Sequence, residues 1–527
     1  MEVELFRRNW RGLLPAAILL SLGCVAALLL CRATAVGLWL TDDSILYVIG
    51  AEGLATGRGF TRISGGGEIK PITGFPLGYS AVLALAGLLG LDFYEAARVM
   101  NILLFGGTVL LSGYLVYKET GSALWAGLAS ILLLSARLMY FIYGWLMAEA
   151  LFVLLFLLSL LALQRYLATQ HTRWLLMAAS IAGINALVRY AALAFIPALG
   201  MGILLGALPD WKKGVRQSLT FMVVASLPFA MMALANYLFA GTAVNRTSLL
   251  GDVEFRIIIR YIERLFAQLM PIQILQDLRL RYKIAILFSL LGLAPAVQAC
   301  QALRPRMAPT EQRGESHGRG ALTLVIALCM AIYLPVVWLT IAPITEGGVH
   351  VDRYLIPVFT GSVVSLAISF ANAVRSLRLP KWGLAALLVA WLPLIGAHTA
   401  QTEAFLHSSI PPFSEYWGTE RYEEVIEVVQ KFNPETPIYC NEIYRLYFLT
   451  GRYAYQIPIF YDSFKQEERQ DFEIELAKFR DRMRAGAVLI LFESYDRQQP
   501  RFPPRETLTQ SLVPYRELET AIVYLWK

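Results

Sequence analysis

The chain has 527 residues, 57% hydrophobic and 16% charged, with a formal net charge of +7 and a mean hydropathy of +0.54. That balance excludes an ordinary soluble globule and marks a multi-spanning membrane protein. The excess of Lys and Arg on such a chain belongs to cytoplasmic loops and lipid headgroups, so it gives no reason to propose nucleic acid.

In chain order, Arg7, Arg8 and Arg11 precede an apolar run over 13–31. A cleavable signal peptide is the alternative reading. The run is long for a signal core, however, and Leu28-Leu29-Leu30-Cys31 lacks the small residue a lipoprotein cleavage site needs. A retained first helix with its N-terminus inside is expected. Directly behind it stand Asp42 and Asp43, in Trp39-Leu40-Thr41-Asp42-Asp43-Ser44. Charge beside a bilayer is costly and usually kept for a task. A carboxylate where a helix leaves lipid can meet a lipid-carried substrate on one side and water on the other. The structural alternative is that Asp42 caps a helix over Ser44–Ala55.

Further apolar runs lie at 76–91, 96–117, 123–141, 150–167, 174–187, 191–208, 218–240, 284–303, 321–341, 355–374 and 382–398. A span needs roughly 20 residues, and 76–91 is short for one. Parity decides its status. The basic links 165–173, 212–216, 304–319 and 375–381 all fall in the cytoplasm only if 76–91 does not cross. About eleven crossings are therefore expected, with the tail outside and 41–95 external. The external loop 241–283 resists this rule, because it carries Arg246, Arg256, Arg260, Arg264, Arg279, Arg281 and Lys283. Apolar residues recur at helical spacing from Phe255 to Phe266, with arginines between them. That suits a helix lying among headgroups, anchored to anionic lipid or holding a lipid phosphate through an arginine.

After His398 the composition changes. Residues 437–440, 487–492 and 521–525 predict strands; 420–432 and 467–483 predict helices. The expected organisation is a transmembrane domain over 1–400 and a soluble, extracytoplasmic α/β domain over 401–527. The Pro/Arg/Gly-rich link 304–320 reads as disordered. No internal repeat is evident, and Asn245 heads a lone glycosylation sequon that reads as chance. Cys24, Cys31, Cys300, Cys329 and Cys440 form no disulfide or zinc pattern.

With that topology, polar residues gather on the external side: Asp42 and Asp43, Lys70, Glu149, Arg189 with Tyr190, and His350, Asp352 and Arg353. Each has a plainer reading. Glu149 could serve its helix N-terminus by charge, Lys70 and Arg353 could snorkel, Arg189 could end a span, and His350 could be a surface histidine. The Gly-rich loop before Lys70 is no P-loop, since Gly-Lys-Ser/Thr opening a helix is missing. Separate acids and bases on one face suit displacement at an anomeric carbon with a phosphate leaving group. A carboxylate takes the proton of the acceptor hydroxyl, and a fixed Lys or Arg meets the charge that grows on the phosphate.

At these residues the chain resembles the GT-C superfamily of polyprenyl-phosphate-sugar glycosyltransferases, in the branch of bacterial aminoarabinose transferases and protein O-mannosyltransferases. The matching order is Asp42-Asp43, Ala51 to Phe60, Lys70-Pro71-Ile72, the stretch from Pro76 through Tyr79, Glu149, Leu187-Val188-Arg189-Tyr190, and Asp352-Arg353-Tyr354. It covers roughly residues 1–400. The resemblance implies a GT-C-like helix bundle of about eleven spans, with juxtamembrane helices in the first external loop, in a bacterial plasma (inner) membrane. It implies an inverting transfer on the external face, from a polyprenyl-phosphate-linked hexose or pentose to a lipid, glycan or protein hydroxyl. Asp42 or Asp43 would be the base and Glu149 the second acid. Lys70 would hold phosphate, and Tyr79, Arg189, Tyr190, Arg260, His350 and Arg353 would line the substrate. Glu stands where aminoarabinose transferases have Asp, and the Asp-x-Asp pair of oligosaccharyltransferases is missing, so no metal or other cofactor is expected. The rival readings are a transporter or flippase, which repeated halves and mid-membrane charges on broken helices would favour, and a non-catalytic envelope protein whose tail binds a partner.

Overall fold

A computed structural model describes residues 2–65, 67–244, 255–293, 321–341, 351–376, 381–414, 419–462, 467–498 and 501–527. His350, the 304–320 link and Asn245 lie outside the described residues.

The chain is mainly helical. Helix α1 (Glu2–Ala33) leads to α2 (Asp42–Ala55), a hairpin of β1 (Thr61–Ile63) and β2 (Ile69–Pro71), and α3 (Gly78–Leu88). The membrane part continues through α4 (Phe93–Thr120), α5 (Ala123–Ser135), α6 (Arg137–Tyr143), α7 (Glu149–Thr169), α8 (Thr172–Val188), a 3-10 turn (Tyr190–Ala194), α9 (Phe195–Gly206) and α10 (Trp211–Ala240). It closes with α11 (Phe255–Leu269), α12 (Gln273–Gln276), α13 (Leu280–Phe288), α14 (Ala321–Ile341), α15 (Val351–Ser376) and α16 (Lys381–Ser414).

Among the described residues six helices are long and apolar enough to cross a bilayer. The number is seven when α5 and α6, bent by 62° at Ala136, are taken as one span. The chain is thus a multi-pass membrane protein. Helix α3 has 11 residues, about 16 Å at 1.5 Å per residue. That is half of a hydrocarbon core about 30 Å thick, so α3 is too short to cross it alone. Helix α8 and the unit Tyr190–Gly206 are apolar but shorter than a full span. Helix α15 is the most deeply packed of the spans and touches α4, α5, α7, α11 and α14.

Helices α1 and α4 cross at two glycines. A Cβ on Gly23 would sit 2.9 Å from the Gly106 carbonyl, and one on Gly106 would sit 2.7 Å from the Gly23 carbonyl. Small residues let helix backbones approach this closely in lipid, where packing rather than hydrophobicity joins helices. Gly23→Val is expected to push the helices apart and lower stability by about 1–3 kcal/mol. Thermal unfolding in detergent reads this, and a melting point equal to wild type would contradict the close crossing.

The tail carries a sheet of five strands in the order β4-β3-β7-β9-β8: β3 (Ile438–Cys440), β4 (Tyr455–Gln456), β7 (Val488–Phe492), β8 (Leu512–Glu517) and β9 (Ala521–Trp526). Strand β3 is parallel to β4 and β7, while β9 runs antiparallel to β7 and β8. The uninterrupted apolar run of β7 fits a strand covered on both faces. Leu489 and Leu491 pack with Phe472, Leu476 and Phe479 of α19 (Phe472–Arg484). Val488, Ile490 and Phe492 pack with Val425, Val428 and Val429 of α17 (Glu423–Lys431). Helix α18 (Ile443–Thr450) lies between β3 and β4, and α20 (Arg505–Thr509) precedes β8.

The three expected strands are found as β3, β7 and β9. The expected helix over 467–483 starts late. Glu467–Glu468 is strand β6, paired with β5 (Tyr461–Asp462). The reason is burial: the apolar face of α19 begins at Phe472, and the residues before it have no apolar side chain to bury. The 420–432 segment opens with a 3-10 turn at Thr419–Tyr422 before α17. Helix α16 continues past residue 400 to Ser414.

Candidate active site

Thr41 caps α2: its side chain accepts from the Ser44 N–H, and the Ser44 hydroxyl accepts from the Thr41 N–H. The capping task therefore falls to Thr41, and Asp42 and Asp43 form the first turn, with the carboxylates near the positive end of the helix. The segment before the cap is stitched to the segment before α7. Trp39 N–H donates to the Gly144 carbonyl at 2.8 Å and Leu146 N–H to the Trp39 carbonyl at 3.0 Å. Buried Asn101 of α4 holds the same turn, donating to the Tyr143 and Trp145 carbonyls at 2.9 and 2.6 Å. Two segments about a hundred residues apart are thereby fixed side by side, and Glu149, first residue of α7, is set close to the acid pair.

Glu149 is buried, its side chain 1% exposed. Its Oε1 lies 2.5 Å from Arg189 Nη1 and 3.4 Å from Arg353 Nε. Arg353 then reaches Asp43: Nη1 stands 3.1 Å from Asp43 Oδ2, and Nη2 donates to the Tyr354 hydroxyl at 3.0 Å. Arg353 is 13% exposed and Arg189 12%. Arg189 caps the end of α8, and both arginines turn inward to carboxylate partners. Both guanidiniums lie over the Tyr354 ring, at 5.4 and 5.0 Å. Two carboxylates and two guanidiniums thus balance in one cluster contributed by α2, α7, the end of α8 and α15. At low dielectric such charges are strongly coupled.

The cluster stays open at Asp43, whose side chain is 32% exposed. Arg353 engages Oδ2 alone, so Oδ1 remains able to accept a proton. Asp42 is exposed and lies near enough to Glu442 of the tail to act on it. Burial pushes the Glu442 carboxyl above its ordinary range, Arg445 draws it back, and Asp42 is near enough to push it up further.

The other sequence candidates divide. Tyr79 is fully buried, with its ring 5.0 Å from Tyr47, and its hydroxyl has no hydrogen-bond partner among the described residues. The Tyr190 hydroxyl donates to the Thr73 carbonyl at 3.1 Å, joining the end of α8 to the loop after Lys70. Lys70 itself is 48% exposed on β2 and pairs with Glu68 at 3.1 Å. Arg260 is exposed on α11 and touches none of the cluster. From that helix it is Arg264 that approaches, 4.0 Å from Asp352, while Tyr261 is buried. Among the described residues no group of three or more His, Cys, Asp or Glu could hold a metal ion.

Sequence reasoning missed the contribution of the tail. Glu52 of α2 pairs with Arg58 at 2.9 Å and accepts from the hydroxyls of Tyr447 and Tyr453. Arg62 of the hairpin donates to the Tyr444 hydroxyl at 3.2 Å. The only signal was the cluster of four tyrosines, Tyr444, Tyr447, Tyr453 and Tyr455, in a short tail segment.

No family model and no curated protein sequence matches the chain. The fold does match solved structures. ArnT from Cupriavidus metallidurans bound to undecaprenyl phosphate aligns with a TM-score of 0.54 at 14% identity, over 95% of this chain and 96% of that one. The apo state of the same protein gives 0.54 at 13% identity over the same shares. Archaeal oligosaccharyltransferase AglB from Archaeoglobus fulgidus, in complex with an inhibitory peptide and a dolichol-phosphate, gives 0.49 at 14% identity, over 93% of this chain and 70% of that one. The chain therefore shares its overall fold with ArnT, in keeping with the fold that the resemblance in its sequence implies.

Proposed function

We propose that this GT-C-fold chain is a membrane glycosyltransferase. It moves a hexose or pentose from a polyprenyl-phosphate carrier to a hydroxyl of a glycolipid, glycan or protein, with inversion, on the external face of a bacterial plasma membrane. The observation that carries the reading is the bridge from half-exposed Asp43 through Arg353 to buried Glu149, in a fold shared with a protein solved with undecaprenyl phosphate.

In this reading Asp43 Oδ1 takes the proton of the acceptor hydroxyl as its oxygen attacks the anomeric carbon. The bond from that carbon to the phosphate oxygen breaks, and the carrier phosphate leaves with the bonding pair. Asp42, one residue away, orients the acceptor. Arg353 fixes the direction of Asp43. Glu149 and Arg189 hold Arg353 in place and supply field at the sugar, whose ring gains positive charge in the transition state. Lys70 meets the phosphate, with Tyr79, Tyr190, Arg260 and His350 on the substrate path. The charge of the phosphate is met by cationic side chains, so the reading uses no metal. A transmembrane part over 1–400 carries the chemistry, and the extracytoplasmic part over 401–527 faces the acceptor.

The test is carrier release. Purified protein in detergent receives a panel of undecaprenyl- and decaprenyl-phosphate sugars with crude envelope as acceptor, and mass spectrometry detects the freed lipid phosphate. Release from at least one donor is expected. Folded protein that releases carrier from none of them would overturn the reading and favour transport.

A further inference from the structure

Helix α2 bears the acid pair in its first turn and Glu52 near its end. From Asp43 to Glu52 the helix makes about two and a half turns, so the two carboxylates leave it on opposite sides. Asp43 points to the buried charges and meets Arg353 at 3.1 Å. Glu52 points to the tail, where the hydroxyls of Tyr447 and Tyr453 both donate to its Oε2. Its other oxygen, Oε1, accepts from Arg58 Nη2 at 2.9 Å. One helix is thus gripped on one side by the membrane part and on the other by the tail.

The tail is well placed to hold a helix still. Tyr447 and Tyr453 are stacked with ring centroids 4.7 Å apart, so one stack presents both hydroxyls to one carboxylate. Hydrogen bonds to an ionised acceptor are roughly twice as strong as neutral ones. Burial and the bond to Glu52 hold the Tyr447 phenol well above its ordinary range, so it stays a donor. Helix α18, which carries Tyr447, is itself tied down. Its Phe448 meets Tyr94 of α4 edge-on at 5.4 Å, and its Tyr444 hydroxyl accepts from Arg62 of the hairpin at 3.2 Å. Rotation of α2 about its axis is the motion that matters for Asp43. Side chains end about 5–6 Å from a helix axis, so a turn of about 20° moves the Asp43 carboxylate by about 2 Å. That shift carries the Asp43–Arg353 pair from 3.1 Å past the roughly 4 Å at which an ion pair is lost. A misplacement of about 1 Å can cost about 100-fold in rate.

We propose that Glu52 is a positioning residue: held by Tyr447 and Tyr453, it fixes the rotation of α2 and so keeps Asp43 on Arg353. The tail thereby acts on the chemistry through α2, without touching the reacting atoms. The inference rests on the transferase reading and adds to it a role for Glu52 and for the two tyrosines.

Three variants of the full-length protein in detergent test this. Tyr447→Phe combined with Tyr453→Phe removes both hydroxyls and keeps the stack. Glu52→Ala removes the acceptor. Glu52→Gln keeps one acceptor oxygen for the tyrosines and gives up only Arg58. Hydrogen exchange over residues 41–48, read by mass spectrometry, reports the clamp without turnover. In the double phenylalanine variant and in Glu52→Ala these amides should exchange at least about tenfold faster, as loss of charge-assisted bonds allows. Carrier release should fall about 10- to 100-fold in kcat, with the KM for the donor unchanged. Glu52→Gln should retain most of the rate, because the tyrosines keep their acceptor. Size-exclusion profiles establish folding, and the double phenylalanine variant carries the test if Glu52→Ala does not fold. Unchanged exchange over 41–48, or a loss confined to KM, would overturn the proposal. Faster exchange in the variants of a protein that releases no carrier even as wild type would sink the transferase reading alone. An active wild type whose kcat survives all three substitutions would sink the positioning role alone.

Discussion

Asp43→Asn is expected to lower kcat for carrier release by about 100- to 10,000-fold, the range that a positioned general base contributes, with little change in the KM for the donor. The substitution keeps the size of the side chain and a carbonyl oxygen for Arg353, and removes only the ability to take a proton. Asp42→Asn should cost much less, because Asp42 is exposed while Asp43 is the acid held by Arg353. Steady-state release by both variants, with matched size-exclusion profiles, decides between the two carboxylates. If Asp42→Asn were the dead variant and Asp43→Asn active, the base would be Asp42 and the Arg353 bridge would serve structure alone.

Arg353→Ala is the second large effect. Arg353 is the one side chain that meets both Asp43 and Glu149. Its removal leaves Glu149, 1% exposed, with a single cation and frees Asp43 from its only ion-pair partner among the described residues. Breaking a buried pair from one side costs about 3–5 kcal/mol, because the remaining charge stays desolvated. Thermal unfolding in detergent should show a drop of that order, together with loss of carrier release. Adding Glu149→Gln to Arg353→Ala leaves Arg189 as the buried charge without its acid, so the double variant should regain no activity and should lose less stability than the two single losses added together. A double variant as unstable as the sum of the single ones would mean that the two residues do not interact.

Much of this arrangement was legible along the chain, and for identifiable reasons. The spans follow from long apolar runs, which need no tertiary information because lipid demands that each helix satisfy its own backbone. Helix α3 is too short to span alone, as charge parity required, but among the described residues six or seven helices, against about eleven expected, are long and apolar enough to cross, because α8 and α9 are also short. Strands β3, β7 and β9 were visible as short apolar, β-branched runs. Asp43, Glu149, Arg189 and Arg353 were each visible as a charge at the end of an apolar segment, where a charge is otherwise unfavourable. Their pairing was not visible. Arg353 and Asp43 are 310 positions apart, and no local pattern says which acid an arginine will meet.

What the sequence determined by itself is therefore the solvent and the inventory: a lipid-embedded helical bundle, an α/β tail, and a set of charges at the ends of apolar segments. These are properties of composition and period, which depend on neighbours along the chain. The tertiary structure alone decided the partnerships. It joined Trp39 to the Gly144–Leu146 turn and so set the acid pair beside Glu149. It gave Arg353 to both acids, and it brought the tail tyrosines over α2 and the hairpin. Contacts between residues hundreds of positions apart are selected by how helices and sheet pack as bodies, and packing is a property of the whole chain.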